Sequence, residues 1–211
     1  MRIVENDYII HDNFNFFKDL PLSPDMIINS IKHCYDTLDL IDSNLTINGT
    51  LPLSKLVELA NLSSIVGNLL GEGFAKNSSN IYIRNKPHTY PDLIYSDNSK
   101  GGIEIKVALE SNKPKGHLAK EGYYLTYRYV LTNEDGIYIK GKDTRGNTVT
   151  IWEVKFDYLT LNDFSISNTE GDSGKTAVIK TESLNKMHLL YFNDTCVPYK
   201  HSEIKAYPGF N

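Results

Sequence analysis

Three side chains in the stretch "HTYPDLIYSDNSKGGIEIKVAL" (residues 88–109) have the types and spacing to do chemistry together: Asp92, Glu104 and Lys106. Two short apolar runs are joined by "SDNSKGG". Asp92 stands at the head of the first run, and Glu104 and Lys106 lie two apart in the second. In a strand, residues two apart share a face. Glu104 and Lys106 therefore point one way, and Ile103, Ile105 and Val107 the other. The connection is short enough to bring Asp92 beside Glu104. Two converging carboxylates are hard oxygen ligands for Mg²⁺, which keeps several waters and also takes phosphate oxygens. Such an ion polarises a phosphoryl group and lowers the pKa of a bound water. An adjacent ammonium orients the attacking water and stabilises charge developing at phosphorus. The reaction this serves is in-line hydrolysis of a phosphodiester.

The elements around the three residues can be read from periodicity. "SPDMIINSIKHCYDTLDLID" predicts a helix capped by Ser23 with Pro24 in its first turn, burying Ile27, Ile31, Cys34, Leu38 and Ile41 before "SNLTINGT" breaks it. "LPLSKLVELANLSSIVGNLLGEGFAK" predicts a second helical region, with a break near Ser63. Ile65, Leu69 and Phe74 supply its contacts, and Glu72 projects to the side of Ile65 and Leu69. From Ile81 the period becomes two. "IYIR", "DLIY", "GIEIKVAL", "YYLTYRYVL", "GIYIKG" and "VTIWEVKFDYL" read as strands, the later ones parted by "TNEDG" and "DTRGN". "VIKTESLNKMHLLYF" fits either a strand followed by a helix or one irregular segment. The expected fold is α+β: N-terminal helices packed on a central mixed, largely antiparallel twisted sheet. A single domain spans 1–211, with a helical part at 1–80, a catalytic core at 81–132 and a β-rich part at 133–211 for DNA recognition or dimerisation.

Pro91-Asp92, eleven residues, then Glu104-Ile105-Lys106 resembles the PD-(D/E)xK motif of the nuclease superfamily that includes many type II restriction endonucleases. The arrangement is similar to that of EcoRV-type enzymes, and the resemblance covers roughly residues 60–130. It implies a Mg²⁺-dependent deoxyribonuclease that cuts double-stranded DNA at a short specific sequence as a homodimer, with Asp92 and Glu104 as metal ligands and Lys106 as a catalytic partner. In that family the preceding helix often donates another acid, and Glu72 is the position that fits; Glu110 is a second candidate. The segment after the motif, "ESNKPKGHLAKEG", departs from the helix that many members carry and reads as loop.

That loop concentrates Lys113, Lys115, His117 and Lys120, which next to such a site would contact phosphates or base edges. Without the motif it would read as a solvated Lys-rich loop. "EGDSGKTA" lacks the spacing of a phosphate-cradling loop and is assigned DNA contacts through Ser173 and Lys175. His88 fits a DNA contact or a hydrogen-bonded strand residue.

The formal charge of −4 argues mildly against a protein that coats nucleic acid, though a metal-dependent nuclease can carry an acidic site and meet phosphates through local cations. The 14 tyrosines hint at a binding face, so a non-catalytic Tyr-rich β-sheet module stands beside the nuclease reading, as does a repair or junction-resolving nuclease of the same chemistry. Two distant cysteines, Cys34 and Cys196, make neither a disulfide framework nor a zinc site. With no apolar run long enough for a signal peptide or a membrane span, a cytoplasmic location without membrane is expected.

Overall fold

The computed structural model describes residues 2, 4–97, 99, 101–141, 143–167 and 176–199. Short 3-10 turns at Asn6–Tyr8 and His11–Phe17 lead into helix α1 (Pro24–Ile47). Ser23 caps it, its hydroxyl accepting from the Met26 N–H at 3.4 Å. The helix runs past the expected break. Asn44 and Thr46 bond back to the Leu40 and Asp42 carbonyls, at 2.7 and 2.9 Å, instead of diverting the backbone. It stops at Gly49, which has φ +75°; the Thr50 N–H closes back to the Leu45 carbonyl and the Gly49 N–H to Thr46.

The second helical region is a single turn, α2 (Leu53–Leu56), followed by α3 (Leu59–Lys76). The break falls at Val57–Glu58, and Ser63 lies inside α3. The buried stripe of α3 is Leu62, Val66, Leu70 and Phe74, a strict i, i+4 row, while Ile65 and Leu69 are only half-buried. Glu72 is about 200° around the helix from Leu70 and is exposed.

Strands β1 (Tyr82–Arg84), β2 (Leu93–Tyr95), β3 (Gly102–Leu109), β4 (Lys115–Gly116), β5 (Gly122–Thr132), β6 (Thr148–Leu159), β7 (Phe164–Ser167) and β8 (Thr176–Ile179) follow, then helix α4 (Thr181–Lys186) and strand β9 (His188–Phe192). Six of these strands form one sheet in the order β1-β2-β3-β5-β6-β9, in which β3 and β5 alone are parallel. A second, antiparallel sheet has the order β4-β8-β7. The α+β class is therefore observed, and "VIKTESLNKMHLLYF" resolves into strand, helix and strand. "GIYIKG" is not a strand. Ile137 and Ile139 are 56% and 52% exposed, and the segment pairs with no strand among the described residues. β7 was not foreseen.

One face of the large sheet packs against α1 and α3. Ile103, Ile105, Leu125, Tyr127, Ile151, Val154 and Phe156 meet Ile27, Ile31, Leu38, Leu62, Val66 and Leu70 in one core. Each large apolar side chain so buried contributes about 1.5–3 kcal/mol. Much of the tyrosine content is in the interior: Tyr35, Tyr127 and Tyr129 are buried, their hydroxyls bonded to the Ile151 N–H (2.6 Å), Ser30 (3.2 Å) and Ser63 (2.9 Å). The abundance that suggested a binding face serves here to fill the core while pairing these three hydroxyls; the buried Tyr191 hydroxyl is the exception, with no hydrogen-bond partner among the described residues. Cys34 and Cys196 are buried free thiols, and burial pushes Cys34 up to about 12. Among the described residues, no helix is long and apolar enough to cross a membrane.

Candidate active site

The β2–β3 ladder is short. It pairs Ile94 with Gly102 and Leu93 with Ile103, then stops. Beyond it the two strands exchange side chains for backbone partners. The Ile105 N–H donates to Asp92 Oδ2 at 2.9 Å, and the Asp92 N–H donates to Glu104 Oε2 at 3.1 Å. The carboxylates are thus fixed at a fork where the strands part. Gly102 makes the approach possible, because a Cβ there would collide with the Leu93 carbonyl oxygen and come within 2.6 Å of Pro91 Cγ.

Lys106 Nζ donates to Glu104 Oε1, closing a chain Asp92–Glu104–Lys106. The side chains of Glu104 and Lys106 retain 12% and 20% of their exposure, so the group is sheltered yet reachable. Burial holds the Glu104 carboxyl above the ordinary glutamate range; Lys106 pulls it back, and Asp92 adds to the rise. Strand β4 lies directly over Lys106: a Cβ on Gly116 would sit 3.0 Å from its Cε.

The fork opens into a cleft of about 970 Å³ between α3, β3, β4 and β8. Asp92 and Lys106 line it together with Arg84, Lys113, Lys115, His117 and Arg145. Glu104 stands behind Asp92 and Lys106, outside the cleft lining, and Arg145 is paired with Glu110; a chain of net charge −4 nonetheless gathers Arg84, Lys106, Lys113 and Lys115 beside Asp92. Of the residues expected to contact DNA, Lys113, Lys115 and His117 line this cleft. Lys120 does not; its ammonium lies 4.5 Å over the Tyr90 ring. Ser173 and Lys175 lie outside the described residues.

Neither candidate third acid reaches the fork. Glu72 is exposed and outside the cleft lining, because the buried stripe runs through Leu62, Val66 and Leu70 and turns Glu72 outward. The cleft side of α3 instead presents Ser64, Gly67 and Asn68. Glu110 is held by Arg145, whose Nε donates to its Oε1 at 3.0 Å with Nη2 at an ion-pair distance of 2.9 Å from the same oxygen. His88 is exposed and away from the cleft. Among the described residues no group of three or more His, Cys, Asp or Glu is arranged to hold a metal. The fork itself offers two acids. That donor set suits Mg²⁺, which needs only one or two carboxylates beside water and substrate phosphate.

Arg84 and Arg145 were not anticipated. The signal for Arg84 is in "IYIR", where Tyr82 is 1% exposed and Ile83 42%, so the arginine shares the inward face. Arg145 stands in a turn, and only the tertiary fold brings it near.

No protein-family model matches the chain, and no curated protein sequence matches it.

Proposed function

We propose that the protein is a Mg²⁺-dependent endonuclease of the PD-(D/E)xK type, a type II restriction endonuclease hydrolysing phosphodiester bonds of double-stranded DNA at a short specific sequence. The observation that carries this reading is the fork. Asp92 and Glu104 are locked to each other's strand, with Lys106 on Glu104, at the edge of a cationic cleft. Asp92 and Glu104 would hold the cation, which when bound lends Lewis-acid charge to the phosphoryl oxygens and the attacking water. Lys106, pinned by Glu104 and walled by Gly116, holds an ammonium where it can hydrogen-bond the attacking water and offset charge developing on the phosphate. Lys113 and Lys115 neutralise backbone phosphates along the cleft. Cutting both strands of a twofold-symmetric site calls for a homodimer, acting in the cytoplasm where DNA is at hand.

Supercoiled plasmid incubated with the protein in Mg²⁺, and in parallel with EDTA, tests the reading. Discrete metal-dependent bands are expected. Random nicking points to a repair or junction-resolving nuclease of the same chemistry. Intact DNA in Mg²⁺ removes the nuclease reading and leaves a binding module.

A further inference from the structure

The chain has four arginines, and three are matched to carboxylates: Arg2 to Asp39 and Asp42, Arg128 to Glu153, and Arg145 to Glu110. Arg84 has none within ion-pair distance among the described residues. Yet it is half-buried, facing α3 from the edge strand of the sheet. A half-sheltered guanidinium held in place, reachable from solvent and without a carboxylate partner, is a ready donor set for an incoming anion.

Helix α3 is shaped to keep it there. Arg84 Nη1 occupies the space a Cβ on Gly71 would fill, with Cζ 2.9 Å from that point. Its Nη2 donates to Asn68 Oδ1 at 3.2 Å. That acceptor is neutral, so it fixes the planar group without cancelling its charge. Asn68, Arg84, Asp92 and Lys106 all line the same cleft. Where the superfamily pattern led us to expect an acid from the helix, this chain holds an oriented, uncompensated arginine.

We propose that Arg84 is a phosphate ligand for the substrate, a preset anchor that grips the DNA backbone on the helix side of the fork. The proposal deepens the nuclease reading and rests on it for the identity of its substrate. A guanidinium has five N–H donors in a fixed fork and meets phosphate oxygens bidentately. One donor is used on Asn68 and Nη1 lies against Gly71, which leaves the outward-facing donors for the anion. The anchor needs no metal, so it acts on binding before any chemistry.

The test is fluorescence anisotropy of a labelled random-sequence DNA duplex in EDTA, across a KCl series, with wild type, Arg84→Ala, Arg84→Lys, Asn68→Asp and the distant surface control Lys32→Ala. Arg84→Ala should bind about tenfold more weakly, with the slope of log affinity against log salt lowered by about one. Arg84→Lys should keep the slope but recover only part of the affinity, having lost the planar fork. Asn68→Asp, at an exposed helix position, places a carboxylate on the guanidinium and should reproduce most of the Arg84→Ala loss, which covers the case in which Arg84→Ala itself folds poorly. Lys32→Ala should match wild type. Wild-type binding and slope in both Arg84→Ala and Asn68→Asp would overturn the proposal. The plasmid assay separates the two readings. Metal-dependent cutting by wild type with unaltered binding in both variants removes the anchor and keeps the nuclease. Intact plasmid with the predicted binding losses removes the nuclease and keeps a nucleic-acid phosphate anchor.

Discussion

The large sheet carries two Glu-x-Lys strands on the same face: Glu104-Ile105-Lys106 on β3 and Glu153-Val154-Lys155 on β6. Their lysines are level, since Lys106 pairs with Thr126 of β5 and Thr126 with Lys155, two strand spacings or roughly 10 Å across, while the strands run in opposite directions and place Glu104 and Glu153 on opposite sides of that row. Their surroundings differ in kind. Glu153 is fully buried and gripped by Arg128, whose Nε and Nη2 take both carboxylate oxygens, while the guanidinium lies 4.3 Å over the Trp152 ring. Lys155, 1% exposed, donates to the Leu184 and Asn185 carbonyls at 2.7 and 3.4 Å, at the end of α4. On β3 the same residue types stand at the rim of the cleft beside a second carboxylate, Asp92. Charged pattern alone therefore does not mark a site. The β6 group is closed on itself and structural, whereas the β3 group is fixed by backbone bonds yet open to a ligand.

This contrast can be broken by exchange of consequences. The largest effect belongs to the fork: Asp92→Ala or Glu104→Ala should abolish Mg²⁺-dependent cleavage. DNA binding without metal should persist or tighten as repulsion from phosphate is relieved. Cleavage at the wild-type rate by Asp92→Ala would end the parallel at once.

Glu153→Gln should do the reverse, destabilising the fold by about 3–5 kcal/mol in denaturant titrations because it removes the carboxylate charge that offsets the buried Arg128 guanidinium. A stability close to wild type would mean the β6 group is not the closed structural pair its contacts describe.

A smaller effect is pH-dependent. Burial lowers the Lys155 ammonium from its ordinary 10.5 to about 8. Between those values the unfolded chain holds a proton that the folded chain has lost. This group's contribution to stability therefore rises with pH from about 8 to about 10.5, by at most roughly 1.4 kcal/mol per pH unit. The buried Cys34 thiol, raised to about 12, acts in the opposite sense. The quantity to measure is accordingly the difference in unfolding free energy between wild type and Lys155→Met across that range. A flat difference would show that Lys155 is not desolvated in the folded state.

Smallest is the division within the basic loop. Lys115→Ala should lower the salt slope of DNA binding by about one, and Lys120→Ala, whose ammonium is over Tyr90 and off the cleft, should leave it unchanged. Equal effects would mean the DNA path extends beyond the cleft.

The fork was legible because its signals are local. Alternation puts Glu104 and Lys106 on one face, and a short turn returns the chain to Asp92. The period-two runs likewise disclosed β1, β2, β3, β5 and β6. What stayed hidden depends on partners distant in sequence. Glu72 was given to the cleft side because Ile65 and Leu69 looked like the buried row, whereas α1 and β3 select Leu62, Val66 and Leu70. "GIYIKG" alternates well but has no strand beside it among the described residues. Arg84 is an ordinary strand arginine until Gly71 of α3 is found beneath it.

The most direct test of the account is the single-turnover cleavage rate of Lys106→Ala at saturating enzyme in Mg²⁺, alongside a Ca²⁺-supported DNA-binding titration. The i, i+2 placement beside Glu104 makes Lys106 act on the chemical step. The variant should therefore cut roughly two to four orders of magnitude more slowly, with affinity little changed. Cutting at the wild-type rate would contradict the account and leave the β3 Glu-x-Lys as structural as its counterpart on β6.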